Sequence, residues 1–166
     1  MTLRPTRADD APFLRRLFAS TREDELSALA WSAAQRETFL SLQLEGQDRH
    51  YRAQYPQARF DVIERDGAPV GRLVVDREEG VIHLLDIALV PAERGAGLGS
   101  ALLRELQEEA TARGSAIILQ VVRTNPALRL YARMGFRVLR EEAVYVGMEW
   151  QPTDMAPLEA QPKTAS

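Results

Sequence analysis

The sequence predicts an α/β (α+β) domain with a mixed, mostly antiparallel central sheet of about six to seven strands flanked by about four helices. Three observations carry this prediction. Helical spacing dominates the first third of the chain, a run of strands separated by tight turns follows, and strands alternate with helices only in the second half. A doubly wound fold would alternate throughout and a helix bundle would lack the strands, so neither fits.

Helical periodicity marks the first third of the chain. A short β-like segment comes first, and two helices follow it, with a capping-box pattern at Thr21–Asp24 predicting a further short turn between them. Pro56 ends the second helix, because the residue before a proline is pushed out of the helical region. Gln35, Phe39 and Leu42 are expected on one stripe of that helix. The predicted ranges are 2–7 for the strand and about 10–20 and 32–55 for the helices.

The middle of the chain predicts three strands in an antiparallel meander. Asp66-Gly67 is a strong hairpin signal between two β-rich runs. A second turn at 77–80 leads into a longer strand, Val81–Val90, which Pro91 stops.

The second half alternates strands and helices. A glycine-rich segment leads into a helix over about 100–112, and Ala116–Val122 is a continuous apolar run typical of a strand buried on both faces. Asn125-Pro126 opens a short helix, and two final strands follow. We expect one domain over residues 1–150 and a flexible, proline-spaced tail over 151–166.

Composition excludes several classes of function. The chain has 166 residues, a hydrophobic fraction of 45% that is too high for disorder, and a net charge of −3 that argues against nucleic-acid binding. It has no apolar run near the ~20 residues of a membrane span and no secretory signal, so a cytoplasmic location is expected. The absence of cysteine excludes thiol catalysis and disulfides, and with two histidines no metal site is expected.

Three glycines spaced by two, Gly95, Gly97 and Gly99, stand between a strand and a helix. Glycine permits close approach of a ligand, and the free N–H groups and dipole of the helix start favour phosphate. A glycine-rich turn without a ligand is the alternative. A dinucleotide-binding loop needs two residues between its last two glycines, and a nucleoside-triphosphate loop needs a lysine before Ser100, so both nucleotide interpretations fail.

Two motifs resemble the GNAT superfamily of acetyl-coenzyme A-dependent N-acetyltransferases. The segment Arg94–Gly99, preceded by Ile87–Pro91, is similar to the family's Gln/Arg-x-x-Gly-x-Gly/Ala signature and the strand end before it. A second segment, with Asn125-Pro126-Ala127, Leu130-Tyr131 and Gly135-Phe136, looks like the family's Asn…Ala…Tyr…Gly-Phe stretch. The element order agrees along 2–150. The resemblance implies a fold of the acyl-CoA N-acyltransferase type and acetyl-CoA as the cofactor.

The resemblance also implies roles for individual residues. Backbone groups of Leu89 and Val90 would pair with the pantetheine arm, Asn125 would contact the cofactor, and Tyr131 would protonate the departing thiolate. A neutral amine would attack the thioester directly, with no acyl-enzyme. The pyrophosphate would be held by the backbone N–H groups of Arg94, Gly95, Ala96, Gly97, Leu98, Gly99 and Ser100.

The attacking amine is mostly protonated at neutral pH, so a base should assist it. His83 and Asp86 are the two polar residues of an apolar strand, and alternation places them on opposite faces. His83 falls where several family members carry a glutamate or histidine base. A strand histidine without a catalytic role and an Asp86 that anchors a loop are the alternatives, and Glu79 is a third candidate base. A strand N–H near Leu89 could stabilise the oxyanion.

The implied acceptor is a primary amine of a small molecule or peptide. Three acidic residues could favour a cationic amine or simply form a solvated helix start, and four aromatic residues could line the acceptor pocket or pack in the core. The final strand pair could support a homodimer, although core packing explains it equally well. A non-catalytic acyl-CoA-binding sensor of the same fold is the alternative function. The residues in question are Glu23, Asp24 and Glu25, and Trp31, Phe39, Tyr51 and Tyr55.

Overall fold

A computed structural model describes residues 1–153, so most of the segment expected to be a flexible tail lies outside the described residues. The α-helices are α1 (Ala11–Thr21), α2 (Glu23–Ser27), α3 (Ala33–Gln54), α4 (Leu98–Arg113) and α5 (Ala127–Arg133). The strands are β1 (Thr2–Pro5), β2 (Arg59–Arg65), β3 (Ala68–Glu78), β4 (Val81–Leu89), β5 (Ala116–Val122), β6 (Arg137–Glu141) and β7 (Tyr145–Trp150).

The strands form a seven-stranded sheet in the order β1-β2-β3-β4-β5-β7-β6. β2 pairs antiparallel with β1 and β3, and β7 pairs antiparallel with β5 and β6. β4 and β5 pair in parallel, from Val81 opposite Ala116 to Leu84 opposite Leu119. The mixed, mostly antiparallel sheet confirms the predicted fold class.

The chain divides into two compact units, and the first comprises Met1–Asp76 and Asp86–Ala96. Its β2–β3 hairpin turns at Asp66 and Gly67, whose φ angles of +53° and +78° are those of the tight turn predicted there. Its three helices share a buried cluster of Phe18, Leu26 and Leu40.

The predicted stripe of α3 is wrong by one position. Leu40 is buried, whereas Phe39 and Leu42 are 36% and 64% exposed. Ser32 and Gln35 form a capping box at the start of the helix, which engages Gln35 with its cap rather than with the core. The inward face instead carries, in order, Arg36, Leu40, Leu44, Gln47, Asp48 and Tyr51.

Thr21 does not cap α2, as the capping-box pattern suggested. Its hydroxyl donates to the Phe18 carbonyl at 2.7 Å and so belongs to the last turn of α1. The short helix α2 nevertheless follows directly, and its carboxylates at Glu23, Asp24 and Glu25 fall in its first turn, where they favour the helix dipole.

The second unit comprises Arg77–Leu85 and the chain from Gly97 onward. α4 packs on β5 and ends, as predicted, at Gly114, whose φ of +64° is left-handed. Among residues 1–153, no helix combines the length and the hydropathy needed to cross a bilayer. The fully buried side chains of this unit include Ile82, Leu103, Ala110, Ala116 and Ile117.

Candidate active site

The end of β4 presents one backbone position away from its neighbour strand. The Val90 N–H donates to the Val70 carbonyl at 2.9 Å, so the backbone of Val90 faces β3. Because backbone groups alternate along a strand, the N–H and carbonyl of Leu89 point the other way. Of the two positions expected to pair with a cofactor arm, Leu89 therefore faces outward, and the Val90 amide is engaged within the fold.

Gly71 allows β3 to approach the end of β4 closely. A Cβ atom at this position would lie 2.4 Å from the Ala88 carbonyl oxygen and 2.9 Å from Leu89 Cδ2. Only glycine fits there, because the nearest atom belongs to the backbone and cannot move independently of the strand. Sequence reasoning missed this residue, since a close approach between strands leaves no local pattern.

Arg94 begins the glycine-rich loop with its side chain already engaged. Its Nε donates to the outward-facing Leu89 carbonyl at 3.0 Å, and its Nη2 donates to Ser20 Oγ at 3.1 Å. Its backbone N–H donates to the Pro91 carbonyl at 3.2 Å. The guanidinium thus ties the end of α1 to the end of β4.

Gly95 and Gly97 have left-handed φ angles of +75° and +85°. A Cβ atom built at either position meets nothing within 4 Å. Both glycines are therefore required by the backbone conformation and not by packing, because the space beside each of them is open.

α4 begins at Leu98, two residues before the predicted start. Its first internal hydrogen bond runs from the Ala101 N–H to the Gly97 carbonyl at 3.0 Å. The N–H groups of Leu98, Gly99 and Ser100 precede that bond and have no acceptor within the helix. A turn of outward N–H groups at the positive end of the helix dipole can bind a phosphate.

Tyr131 and Asn125 lie on and before α5. Tyr131 is only 6% exposed, and its ring lies 5.7 Å from that of Phe136, so it packs in the core as well as carrying a hydroxyl. Asn125 Oδ1 accepts from the Ala127 N–H at 2.9 Å and thereby caps the start of α5. The amide nitrogen of Asn125 is the part of the side chain suited to a ligand.

His83 is partly covered and has an acidic neighbour. Its side chain is 21% exposed, and Nε2 lies 3.6 Å from Glu78 Oε2. It stands opposite Ile118 in the parallel pairing of β4 with β5. A carboxylate at this distance favours the protonated imidazole.

Asp86, the second candidate base, belongs to a charged cluster that sequence reasoning missed. The Arg72 side chain is 4% exposed, and its Nε donates to Asp86 Oδ2 at 3.0 Å. Its two terminal nitrogens donate to Asp48 at 2.7 and 3.1 Å, and Nη2 also lies 3.4 Å from Gln47 Oε1. The available signal was an arginine inside the apolar run Val70–Val75. We refer to these three residues as the Asp48–Arg72–Asp86 cluster.

The surroundings of Asp86 favour its protonated form. Burial raises the pKa of its carboxyl group; Arg72 opposes that effect, and the carboxylate of Asp48 adds to it. The pKa of Asp86 therefore lies above the usual range of an aspartate, despite the ion pair, because removing a carboxylate from water costs more than one partner returns.

The remaining acceptor-side candidates fall into two groups. Glu23, Asp24 and Glu25 are exposed. Trp31 and Phe39 form an edge-to-face pair with ring centroids 4.9 Å apart, and Tyr51 and Tyr55 are half-buried. None of these side chains is deep in the core, so both interpretations of them stay open.

Comparison with known proteins identifies the family. The model of the acetyltransferase (GNAT) family matches residues 15–136, which is more than half of the chain. The protein therefore belongs to the GNAT family of acetyltransferases, whose acyl donor is acetyl-CoA. This confirms the resemblance inferred from the two motifs.

Curated relatives match part of the chain. An uncharacterized N-acetyltransferase of Methanocaldococcus jannaschii is 37% identical over 86 residues, covering 50% of this chain and 54% of the relative. The IAA acetyltransferase of Azospirillum brasilense is 34% identical over 85 residues, covering 49% and 56%. The chain thus spans about half the length of the curated relatives it matches.

Solved structures share the fold. The PaiA N-acetyltransferase of Thermoplasma acidophilum, crystallised with coenzyme A, has a TM-score of 0.68 at 18% identity and covers 91% of this chain and 98% of its own. An acetyltransferase of Thermus thermophilus has a TM-score of 0.65 at 20% identity, covering 92% and 98%. At such identities these likenesses establish the fold alone.

Proposed function

We propose that the protein is an N-acetyltransferase that moves an acetyl group directly from acetyl-CoA to a primary amine of a small molecule or peptide. The observation that carries this proposal is the start of α4. Two left-handed glycines border open space, and the outward N–H groups of Leu98, Gly99 and Ser100 follow them. This arrangement suits a pyrophosphate, which is the anionic part of coenzyme A.

Other residues receive the roles expected of the family. Arg94, Gly95, Ala96 and Gly97 complete the loop, and Leu89 contributes the outward backbone groups for the pantetheine arm. The Arg94 side chain would have to leave the Leu89 carbonyl before a cofactor arm could pair with that oxygen. Asn125 would contact the cofactor through its amide nitrogen.

The chemistry needs a donor thioester, a base and an acid. Acetyl-CoA supplies the thioester, whose carbonyl carbon bonds to the amine nitrogen as its C–S bond breaks. The Leu89 N–H is the donor we assign to the developing oxyanion. His83 and Asp86 are the candidate bases for the amine, and Tyr131 is the acid that gives a proton to the sulfur.

Calorimetric titration with coenzyme A, and rate measurements with acetyl-CoA and a panel of primary amines, test this function. We expect coenzyme A to bind and at least one amine to be acetylated, while ATP binds no more tightly than other anions. Coenzyme A binding without transfer to any amine would instead indicate the acyl-CoA sensor. Tight ATP binding without affinity for coenzyme A would contradict both.

A further inference from the structure

The Asp48–Arg72–Asp86 cluster carries more negative than positive charge. One guanidinium faces two carboxylates, which leaves one net negative charge when both are ionised. The Arg72 guanidinium also lies 5.6 Å from the centroid of the Phe60 ring. With its nitrogens directed to three side chains, Arg72 is fixed in place and cannot follow a solute.

The part of the cluster that meets solvent is acidic. Asp48 and Asp86 expose 18% and 26% of their side chains, whereas Arg72 exposes 4%. A solute that approaches the cluster therefore meets carboxylate oxygens backed by a buried cation. A cation with N–H donors complements such a surface, and an anion does not.

The position of Asp86 links the cluster to the proposed reaction. Asp86 precedes Leu89 by three residues on β4, which corresponds to about 10 Å along a strand. Leu89 carries the N–H assigned to the oxyanion. A small amine bound to the Asp86 carboxylate could span the remaining distance.

We propose that the Asp48–Arg72–Asp86 cluster makes this transferase select aliphatic amines that are cationic at neutral pH. Asp86 would contact the ammonium group, and Arg72 and Asp48 would act as positioning residues that hold Asp86. The inference rests on the proposed function, because it names the acceptor class of that transferase. One proton passes from the ammonium to the Asp86 carboxylate, the nitrogen lone pair forms the N–C bond, and the C–S bond breaks. The second proton goes to the sulfur, and Asp86 later returns its proton to water.

The protonation behaviour of Asp86 agrees with this role. The charged and titratable groups that act on the cluster are Arg72 from β3, Asp48 and Tyr51 from α3, and Arg22 between α1 and α2. Burial keeps the pKa of Asp86 above its usual range. A carboxylate of raised pKa is a stronger base, so kcat/KM should fall on the acidic side as Asp86 takes up a proton.

The test compares the full-length wild type with Asp86→Asn, Asp48→Asn and Arg72→Lys. Asp61→Asn is the matched control, because Asp61 is equally buried and is paired with Arg59 at 2.8 Å, on β2 and outside the cluster. Rates are measured with propylamine and 1,4-diaminobutane, and with aniline, which is uncharged at pH 7. Calorimetry with coenzyme A and circular dichroism monitor the donor side and folding.

We expect Asp86→Asn to raise KM for the two cationic amines by roughly 10- to 100-fold, the usual value of a charge-assisted hydrogen bond, and to flatten the acidic limb of the pH profile. Asp48→Asn should raise the same KM by a smaller factor and shift that limb, and Arg72→Lys should retain part of the selectivity. Coenzyme A affinity should stay unchanged in all of them, and Asp61→Asn should leave KM and the pH profile unchanged.

Two outcomes overturn the inference while leaving the cofactor assignment intact. One is a folded Asp86→Asn protein with the wild-type KM for cationic amines and the wild-type acidic limb. The other is a wild type that binds coenzyme A but acetylates neither cationic amine. An Asp48→Asn protein that loses stability but keeps its KM and pH profile overturns the positioning role. Failure of the wild type to bind coenzyme A would instead contradict the proposed function itself.

Discussion

Tyr131 combines a packing ring with the single hydroxyl assigned as the acid. Tyr131→Phe keeps the ring beside Phe136 and removes only the oxygen. If the hydroxyl protonates the departing sulfur, kcat should fall by roughly 100-fold or more, which is the usual contribution of a positioned acid. Acetyl-transfer rates across a pH series measure this effect. Tyr145→Phe is the control, because Tyr145 is 45% exposed on β7 and should change nothing. An unchanged Tyr131→Phe rate at every pH would exclude the acid role.

Asp10 is a buried carboxylate whose stabilising effect depends on pH. Hydrogen bonds from Arg4, and a further one from the Arg7 N–H, lower the pKa of Asp10 from 3.8 to about 2, although burial opposes them. Because the folded pKa is the lower one, the stabilisation is complete above about pH 4 and is lost as the pH falls through 2. We expect Asp10→Asn to reduce the free energy of unfolding at pH 7 by about 1–2 kcal/mol.

Urea unfolding of the wild type and Asp10→Asn at several pH values tests that expectation. The two curves should approach each other as the pH is lowered below 4. A constant difference between pH 7 and pH 2 would mean that the Asp10 charge contributes nothing, and that the variant is destabilised for another reason. Asp9→Asn is the matched control, since the Asp9 side chain is 81% exposed.

Gly71 and Gly46 should respond in opposite ways to alanine. At Gly71 the new methyl group would lie 2.4 Å from the Ala88 carbonyl oxygen, so we expect a loss of about 1–3 kcal/mol from overpacking. At Gly46, inside α3, nothing lies within 4 Å, so alanine should stabilise the protein by about 0.5–1 kcal/mol. Urea midpoints measure both, and a Gly71→Ala protein as stable as the wild type would contradict the close approach of β3 and β4.

Local and distant contacts differ in how far the sequence predicts them. Gly95 and Gly97 could be predicted, because left-handed glycines between a strand and a helix form a local pattern. The contact of Arg72 with Asp48 could not, since it joins residues 24 positions apart. An arginine inside an apolar strand indicates a buried charge, but the partner becomes visible only when α3 lies on the sheet.

At the scale of the element, α4 has a left-handed glycine at each end, and only one of them belongs to the proposed site. Gly97→Ala and Gly114→Ala each force a side chain into a left-handed conformation, at a cost of about 1–2 kcal/mol. Both should therefore destabilise the protein. Only Gly97→Ala should weaken coenzyme A binding, by roughly 5- to 30-fold if its full cost is met on binding.

Calorimetry with coenzyme A and urea unfolding separate the two effects. Equal loss of coenzyme A affinity in both variants would mean that general destabilisation of α4, and not the loop conformation, controls binding. Unchanged affinity in Gly97→Ala would remove the start of α4 from the site.

The elements also show why the stripe of α3 was mispredicted while its ends were not. Ser32 and Pro56 are local boundary signals, and the helix runs from Ala33 to Gln54, as they indicate. Its inward face is set by packing, and half of that face is polar because it meets Arg72. Hydrophobic periodicity is a weak guide where a helix buries charged groups.

At the scale of the whole molecule, composition constrains the kinetic mechanism. Without cysteine, the chain has no thiol to hold an acetyl group, so transfer should pass directly from acetyl-CoA to the amine. We expect intersecting lines in double-reciprocal plots at several fixed amine concentrations, because both substrates must be bound together. Parallel lines would indicate a covalent intermediate.

Mass spectrometry after incubation with acetyl-CoA alone gives an independent measure of the same property. Lys163 is the only lysine in the sequence, so the amines that could acetylate themselves are its side chain and the N-terminus. A Lys163→Arg protein should carry no acetyl group beyond the N-terminus and should transfer at the wild-type rate. An acetyl group found elsewhere, and discharged when an amine is added, would identify an acyl-enzyme and contradict direct transfer. Direct attack also explains why a base for the amine and an acid for the sulfur are the two functions that the site must supply.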